Sequence, residues 1–171
     1  QGKAGRAYAA VGYLPAKVNP AKIGPLPIFL FTEENQLEKV LKKLVSGELI
    51  TSDKQIYDDP FPDDLEIHTK PIQGGVLSLD LVTSQNWAVE SQRAGVVALM
   101  ETALQFNDVQ SLKVALNGAP LDWIPDAGYQ QQLDLIIDVP PPTLILMVGA
   151  WEKEHETPKE ILVEFDRPVK V

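Results

Sequence analysis

The chain contains no cysteine among its 171 residues and has two histidines. The lack of cysteine excludes disulfides, thiolate catalysis and cysteine-based zinc or iron–sulfur sites. No apolar stretch approaches the roughly 18 residues that a membrane-spanning helix needs, so none is predicted. Basic residues are also scarce, since 15 lysines and arginines face 24 acidic residues and give a net charge of −9. This charge repels phosphate backbones and disfavours nucleic-acid binding.

Sequence motifs of nucleophilic hydrolases, P-loops and dinucleotide-binding turns are also missing from the chain. Neither of the two histidines indicates a catalytic or metal site. His68 alternates with Glu66 and Lys70 on the polar side of a predicted strand, which indicates a solvent-facing position. His155 lies among glutamates, but neither helical nor strand spacing places several ligands on one face. We therefore predict no catalytic residue, no cofactor and no metal.

An acidic loop, Asp58–Asp64, contains four aspartates around Pro60 and Pro62. Carboxylate oxygens are calcium ligands, but the loop lacks the alternating ligands and central glycine of an EF-hand. The two prolines also stiffen it against wrapping around an ion. The segment is interpreted as a solvated loop.

The first 25 residues are predicted to form an extended leader ahead of the folded domain. They are basic and carry regularly spaced prolines, which disfavour helix. The run Ile28–Phe31 then predicts a buried strand, because it is short and rich in strand-forming residues.

A first helix is predicted directly after this strand. Asn35 is suited to be its N-cap, with Glu38 completing a capping-box variant. Apolar residues from Leu37 to Val45 recur at helical spacing, and Gly47 is suited to end the helix.

The middle of the chain predicts a strand pair, a helix and a further strand. The strands Leu65–Ile72 and Val76–Val82 meet at a pair of glycines suited to a tight turn. The helix runs over Val89–Phe106, with Glu101 on its water-facing side. The strand Ser111–Leu116 then ends at an Asn-Gly turn. The resulting order, β-α-β-β-α-β, predicts a small layered α/β (α+β) sandwich.

The last third of the chain, residues 124–171, is predicted to be a β extension. Alternation indicates a strand over Leu133–Val139, which a proline triplet at 140–142 ends. An apolar run, Thr143–Val148, and the alternating segment Ile161–Phe165 predict two more strands. They either extend the first sheet or begin a second small β unit.

Several of these segments together resemble a known family. They are the helix ending in Leu44-Val45-Ser46-Gly47, the glycine-led strand Gly75–Leu81 and the run Val109–Gly118 that follows a long helix. Over residues 26–123 the chain resembles the GerMN domain of bacterial germination proteins and envelope lipoproteins. The resemblance implies a non-catalytic module outside the cytoplasmic membrane that is related to sporulation or germination. It also implies an envelope protein or cell-wall component as partner, and membrane association only through an anchor preceding Gln1.

Two alternatives to an assembly module stay open. Trp87, Trp123 and Trp151 lie near the ends of predicted elements, where exposed aromatic side chains form glycan platforms or interaction sites. A wall-acting hydrolase built from scattered carboxylates is the other alternative.

For an assembly module, we expect pairing at exposed strand edges, with Ile28–Phe31, Leu77–Leu81 and Ile161–Phe165 as candidates. The chain alone is expected to be a monomer or weak dimer.

Overall fold

A computed structural model describes residues 8–50 and 56–137, and the strands at 144–150 and 160–165. The chain divides into two compact units, Gln1–Asp138 and Val139–Val171. Of the described elements, the first unit contains both α-helices and two of the three sheets. It belongs to the α+β class, as predicted.

The first unit begins with a long β-hairpin, β1 (Tyr8–Ala16) and β2 (Asn19–Leu30). Leu14, Ile23 and Leu26 of this hairpin are almost fully buried in the main core. This differs from the predicted leader, because residues 8–25 are extended but form part of the folded unit. The predicted strand Ile28–Phe31 corresponds to the end of β2, where Ile28 is buried while Phe29 and Phe31 are exposed.

The prolines of this segment occupy the strand positions that tolerate them. Pro15, Pro25 and Pro27 lie opposite Ile23, Tyr13 and Val11 in the hairpin register. The Val11 and Tyr13 amides bond to residues outside the hairpin, so these pairs are the non-hydrogen-bonded ones of the ladder. A proline there removes no inter-strand hydrogen bond. The prolines that indicated a tether are therefore compatible with two paired strands.

Helix α1 (Gln36–Val45) follows the hairpin and agrees with the sequence prediction. Its buried residues are Val40, Leu41 and Leu44, and Gly47 ends it with a φ of 73°. The predicted capping box does not form. Asn35 is in the left-handed region with no side-chain capping bond.

A four-stranded sheet forms the centre of the first unit, in the order β3-β4-β5-β6. Its strands are β3 (Glu66–Thr69), β4 (Val76–Val82), β5 (Ser111–Leu116) and β6 (Ala119–Pro120). The turn between β3 and β4 uses positive φ angles at Gly74 and Gly75, as the glycine pair predicted. Strands β4 and β5 are parallel, and helix α2 connects them.

Helix α2 (Val89–Ala103) is buried on nearly every side from Gly95 to its end. All residues from Gly95 to Ala103 are buried except Val97, which is half-buried. The prediction placed Glu101 on the water-facing side, and this is wrong, because Glu101 is 0% exposed. A helix that is enclosed all round lies between layers rather than on a surface. Here β1 contacts it directly, and it shares one core cluster with the sheet leucines.

The segment after β6 crosses back to the hairpin. Tyr129 forms an isolated bridge with Leu112, and Ile136 forms one with Ile23. Residues Leu133–Leu135 form a 3-10 turn, so the strand predicted from Leu133 is wrong over these residues. Their alternation does not correspond to alternating burial, since Leu133 is 69% exposed.

The second unit contains an antiparallel pair, β7 (Leu144–Ala150) and β8 (Glu160–Phe165). Both strands were predicted, and they form a separate two-stranded sheet. Of the two arrangements left open for this region, the structure has the second small β unit. The proline triplet at 140–142 lies outside the described residues.

A glycine in the middle of α2 allows two aromatic rings to approach the helix. A Cβ at Gly95 would lie 2.9 Å from Cζ2 of Trp87 and 3.1 Å from Cε1 of Phe61. The Trp87 ring is also fixed by its indole N–H, which donates to the Pro60 carbonyl at 2.6 Å. Gly95 is therefore required by packing, although glycine costs helix stability.

Replacing Gly95 by alanine tests this packing. In an ordinary helix the change stabilises by roughly 1 kcal/mol. Here we expect the free energy of unfolding to fall by about 1–3 kcal/mol, because the rings must move. Denaturant unfolding measures the difference. Ser91→Ala, at an exposed position of the same helix, is the control and should stay within about 0.5 kcal/mol of wild type. A Gly95→Ala variant more stable than wild type would contradict the packing.

Candidate functional site

The first unit has four strands with an outward edge, and the state of each edge decides where another chain can pair. On β1, the Val11 N–H donates to Oε1 of Gln105 at 2.9 Å, and the Gln105 amide donates back to the Val11 carbonyl at 2.5 Å. The Tyr13 N–H donates to Oγ1 of Thr102 at 2.9 Å. The backbone of residues 56–58 bonds to the end of the strand. The edge of β1 is thus closed from Val11 to its end.

The outer edge of β2 is blocked in a different way. Pro25 and Pro27 stand at outward positions and have no N–H to offer. Three outward carbonyl oxygens accept hydrogen bonds, from the Ile137 N–H to Ile23 at 2.9 Å, the Tyr57 hydroxyl to Pro25 at 2.9 Å, and the Lys43 ammonium to Phe29 at 3.0 Å.

At the far side of the central sheet, β6 has two residues, one of which is Pro120. Beyond its end, Tyr129 and Leu112 exchange two backbone hydrogen bonds, at 2.7 and 3.0 Å. A strand that is so short and contains proline offers little to a further strand.

Strand β3 is different, because no described segment pairs with its outer edge, which we call open. The Lys70 N–H donates to the Ser78 carbonyl. In this register the backbone N–H and C=O groups of Glu66 and His68 also point towards β4. The backbone groups of Ile67 and Thr69 therefore point away from the sheet. Within residues 8–50 and 56–137, nothing hydrogen-bonds to them.

Two cavities lie beside this open edge. One, of about 430 Å³, lies between α1 residues Glu38, Lys42 and Val45 and the strand residues 65–69. The other, of about 500 Å³, continues past Thr69 towards Ile72. Helix α1 and β3 therefore form opposite walls of the first cavity. We call β3 and these two cavities the β3 edge site.

The edges expected from the sequence differ from this site. Leu77–Leu81 lies in β4, which pairs with β3 on one side and β5 on the other, so this prediction is wrong. Ile28–Phe31 belongs to the blocked edge of β2. Ile161–Phe165 lies in β8 of the second unit, paired with β7.

The three tryptophans do not form one surface. Trp87 is 8% exposed and packs against Phe61, with ring centroids 6.3 Å apart. Trp123 is half-buried beneath the Arg93 guanidinium, which lies 5.0 Å from the ring centroid. Trp151 lies outside the described residues.

The candidate metal ligands are used for local structure. His68 is exposed, as predicted, and its Nε2 lies 3.3 Å from Oε2 of Glu66. In the acidic loop, Asp64 accepts hydrogen bonds from Ser84 and Thr83, which lower its pKa to about 2. No group of three acidic or histidine side chains that could hold a metal occurs within the described part of the chain. His155 lies outside it.

The Glu101 carboxylate, predicted from the sequence to face water, is buried inside the first unit. Oε1 of Glu101 accepts hydrogen bonds from the Tyr129 hydroxyl and the Gln132 N–H, both at 2.8 Å. Oε2 is buried without a partner. Burial raises the pKa of Glu101, although the two hydrogen bonds act against the rise. Burial also raises the pKa of Tyr13, with a contribution from the Glu101 charge.

The sequence does contain a signal for this burial. Glu101 is the single charged residue in the stretch Val96–Ala103. A helix with no polar stripe around its charge is enclosed, so that charge needs internal partners. Those partners, Tyr129 and Gln132, are about thirty residues away in sequence and have no helical spacing to reveal them.

Glu101→Gln tests the buried carboxylate through the pH dependence of stability. A raised folded-state pKa means that Glu101 contributes most to stability below its unfolded-state pKa of about 4.3, and that this contribution is lost as pH rises through the folded-state value. The glutamine cannot ionise and keeps an acceptor oxygen for Tyr129. We therefore expect the stability of the variant relative to wild type to increase from pH 4 to pH 8.

Denaturant unfolding at a series of pH values measures this difference. Glu90→Gln, at an exposed position of the same helix, is the matched control and should show no such trend. A Glu101→Gln variant whose relative stability falls with rising pH would contradict the placement.

Comparisons with known proteins agree with the fold. No protein-family model and no curated protein matches the chain. Among solved structures, it is similar to the first GerMN domain of the sporulation protein GerM from Bacillus subtilis, with a TM-score of 0.56 and 20% identity over 73% of this chain and 94% of that one. It is also similar to the tandem GerMN domains of that protein, with a TM-score of 0.57 and 18% identity over 86% of this chain and 57% of that one. The chain therefore has a GerMN-like α+β fold.

Proposed function

We propose that this chain is a non-catalytic binding and assembly module that works outside the cytoplasmic membrane, in sporulation or germination. The observation that supports this best is the β3 edge site. It is an unpaired strand edge with room beside it, in a unit whose other described edges are largely hydrogen-bonded, blocked by proline or very short. The similarity to domains of a sporulation protein supports the biological setting.

An open edge is suited to binding because its unpaired N–H and C=O groups can be satisfied by another strand. Burying those groups without partners would be unfavourable, so the site selects an extended backbone rather than a compact ligand. The partner we propose is accordingly a protein of the cell envelope. A cell-wall glycan has no strand to offer this edge. No helix in the described residues is long and apolar enough to cross a membrane.

The two alternative functions have less support. A glycan platform of three tryptophans loses one member, because Trp87 lies in the core. A hydrolase needs a carboxyl group with a displaced pKa beside a cavity. Glu101 and Asp59 have pKa values raised by burial, but neither lines a cavity of the β3 edge site. Glu38 lines both cavities, but its exposed ion pair with Lys42 lowers its pKa, the opposite of what a general acid needs.

Photo-crosslinking in the native cell tests this function. A photoreactive residue at Lys70, at the end of β3, should give protein adducts, because a bound strand would lie within reach. The same residue at Glu90, which is exposed on α2, should give few. Mass spectrometry identifies the adducts and their cellular location.

An activity assay on the purified protein tests the alternative that the chain is an enzyme. Hydrolysis of peptidoglycan by the chain, abolished by changing one acidic residue, would overturn the proposal in favour of an enzyme. Equal crosslinking from positions 70 and 90 would overturn the assignment of the β3 edge site.

A further inference from the structure

The open edge of β3 is complementary to itself. The residues whose backbone groups point away from β4 are Ile67 and Thr69, two positions apart, and the Ile67 side chain lies in the core. If two copies of β3 run antiparallel about a twofold axis at His68, Ile67 of each copy faces Thr69 of the other. Each such pair exchanges two backbone hydrogen bonds. All outward groups of both strands are then satisfied, and the two sheets become one continuous sheet.

Charge favours the same register. Glu66, His68 and Lys70 share the solvent face of β3, and all three are exposed. In the twofold pairing, Glu66 of one copy lies opposite Lys70 of the other, on both sides of the axis. Cross-strand pairs of opposite charge stabilise a sheet, while like charges destabilise it.

Other twofold registers are less favourable. Shifting the axis to Thr69 places His68 opposite Lys70 and brings Pro71, which lacks an N–H, opposite Ile67. Shifting it to Ile67 requires the amide of Leu65, which already donates to the Pro62 carbonyl at 3.1 Å. The charged side chains that protect a short edge against general pairing thus permit one specific arrangement.

We propose that the β3 edge site binds a second copy of this chain, through antiparallel pairing of β3 with β3 about an axis at His68. This rests on the proposed function and names the partner of the same site. The pairing is weak, because each strand contributes two outward residues and both copies carry a net charge of −9. It becomes populated where copies are held close together, since a high effective concentration compensates for weak contacts.

The absence of cysteine makes this geometry directly testable. His68 would face its symmetry mate in a non-hydrogen-bonded pair, with Cα atoms about 4.5 Å apart. Disulfides span Cα distances of about 4.4–6.8 Å. His68→Cys should therefore form a disulfide-linked dimer in a glutathione buffer at least tenfold faster than Val18→Cys, a fully exposed control in the hairpin turn.

Charge reversal tests the register in the His68→Cys background. Glu66→Lys and Lys70→Glu should each slow dimer formation towards the control rate, because each places like charges opposite one another. The double variant Glu66→Lys/Lys70→Glu should recover the fast rate, since it re-forms both pairs with reversed sign. Lys70 also lies 3.0 Å from Asp80 within one copy, so the thermal midpoint of each variant is measured alongside. Fast crosslinking that neither single reversal changes would overturn the register.

The wild-type protein provides a measurement that needs no variant. On raising the protein concentration, the amide NMR signals of Ile67 and Thr69 should shift, while that of Val18 should not. Unshifted signals together with equal rates for His68→Cys and Val18→Cys would overturn self-pairing. The proposed function would survive that result if Lys70 still crosslinks to other proteins in the cell, and it would fail if that crosslinking were also absent.

Discussion

The enclosure of helix α2 is the constraint on which the rest of the first unit depends. A helix that is buried on nearly every side can carry polar groups only where other segments supply hydrogen bonds. Thr102 donates to the Ala98 carbonyl at 2.7 Å and accepts from the Tyr13 N–H, so it joins the helix to β1. Glu101 joins the same helix to Tyr129. The hairpin and the returning segment are thus attached to α2 by polar contacts inside a mainly apolar core.

This arrangement also determines which surfaces remain open. Strand β1 has no described partner strand on its outer side, but side chains at the end of α2 form hydrogen bonds with its backbone. Strand β2 is blocked by prolines that its register places at outward positions. Strand β3 lies on the opposite side of the central sheet from β6, beside α1, with cavities between helix and strand. The outer edge of β3 therefore stays open because none of the described groups that close β1 and β2 pairs with it.

Much of the local structure could be predicted, because short-range patterns determine it. The apolar spacing of α1, the alternation of β4 and the Asn-Gly turn after β5 depend on neighbouring residues, and each is confirmed. The predictions failed where a pattern has two meanings. Regularly spaced prolines are typical of tethers, but they also suit the outward positions of a strand pair. The alternation beginning at Leu133 is typical of a strand, but it occurs in a 3-10 turn.

The sequence by itself determined the α+β class, both described helices and most described strands, because periodicity and turn chemistry act over a few residues. The resemblance to the GerMN domain rests on particular motifs, such as the run Val109–Gly118. Only the tertiary structure decided that Glu101 is buried, that Trp87 lies in the core and that β3 carries the open edge. These properties depend on which distant segment covers a given residue. Tyr129 covers Glu101, Phe61 packs on Trp87, and no described segment pairs with the outer backbone edge of β3. Contacts of that range leave no period in the sequence.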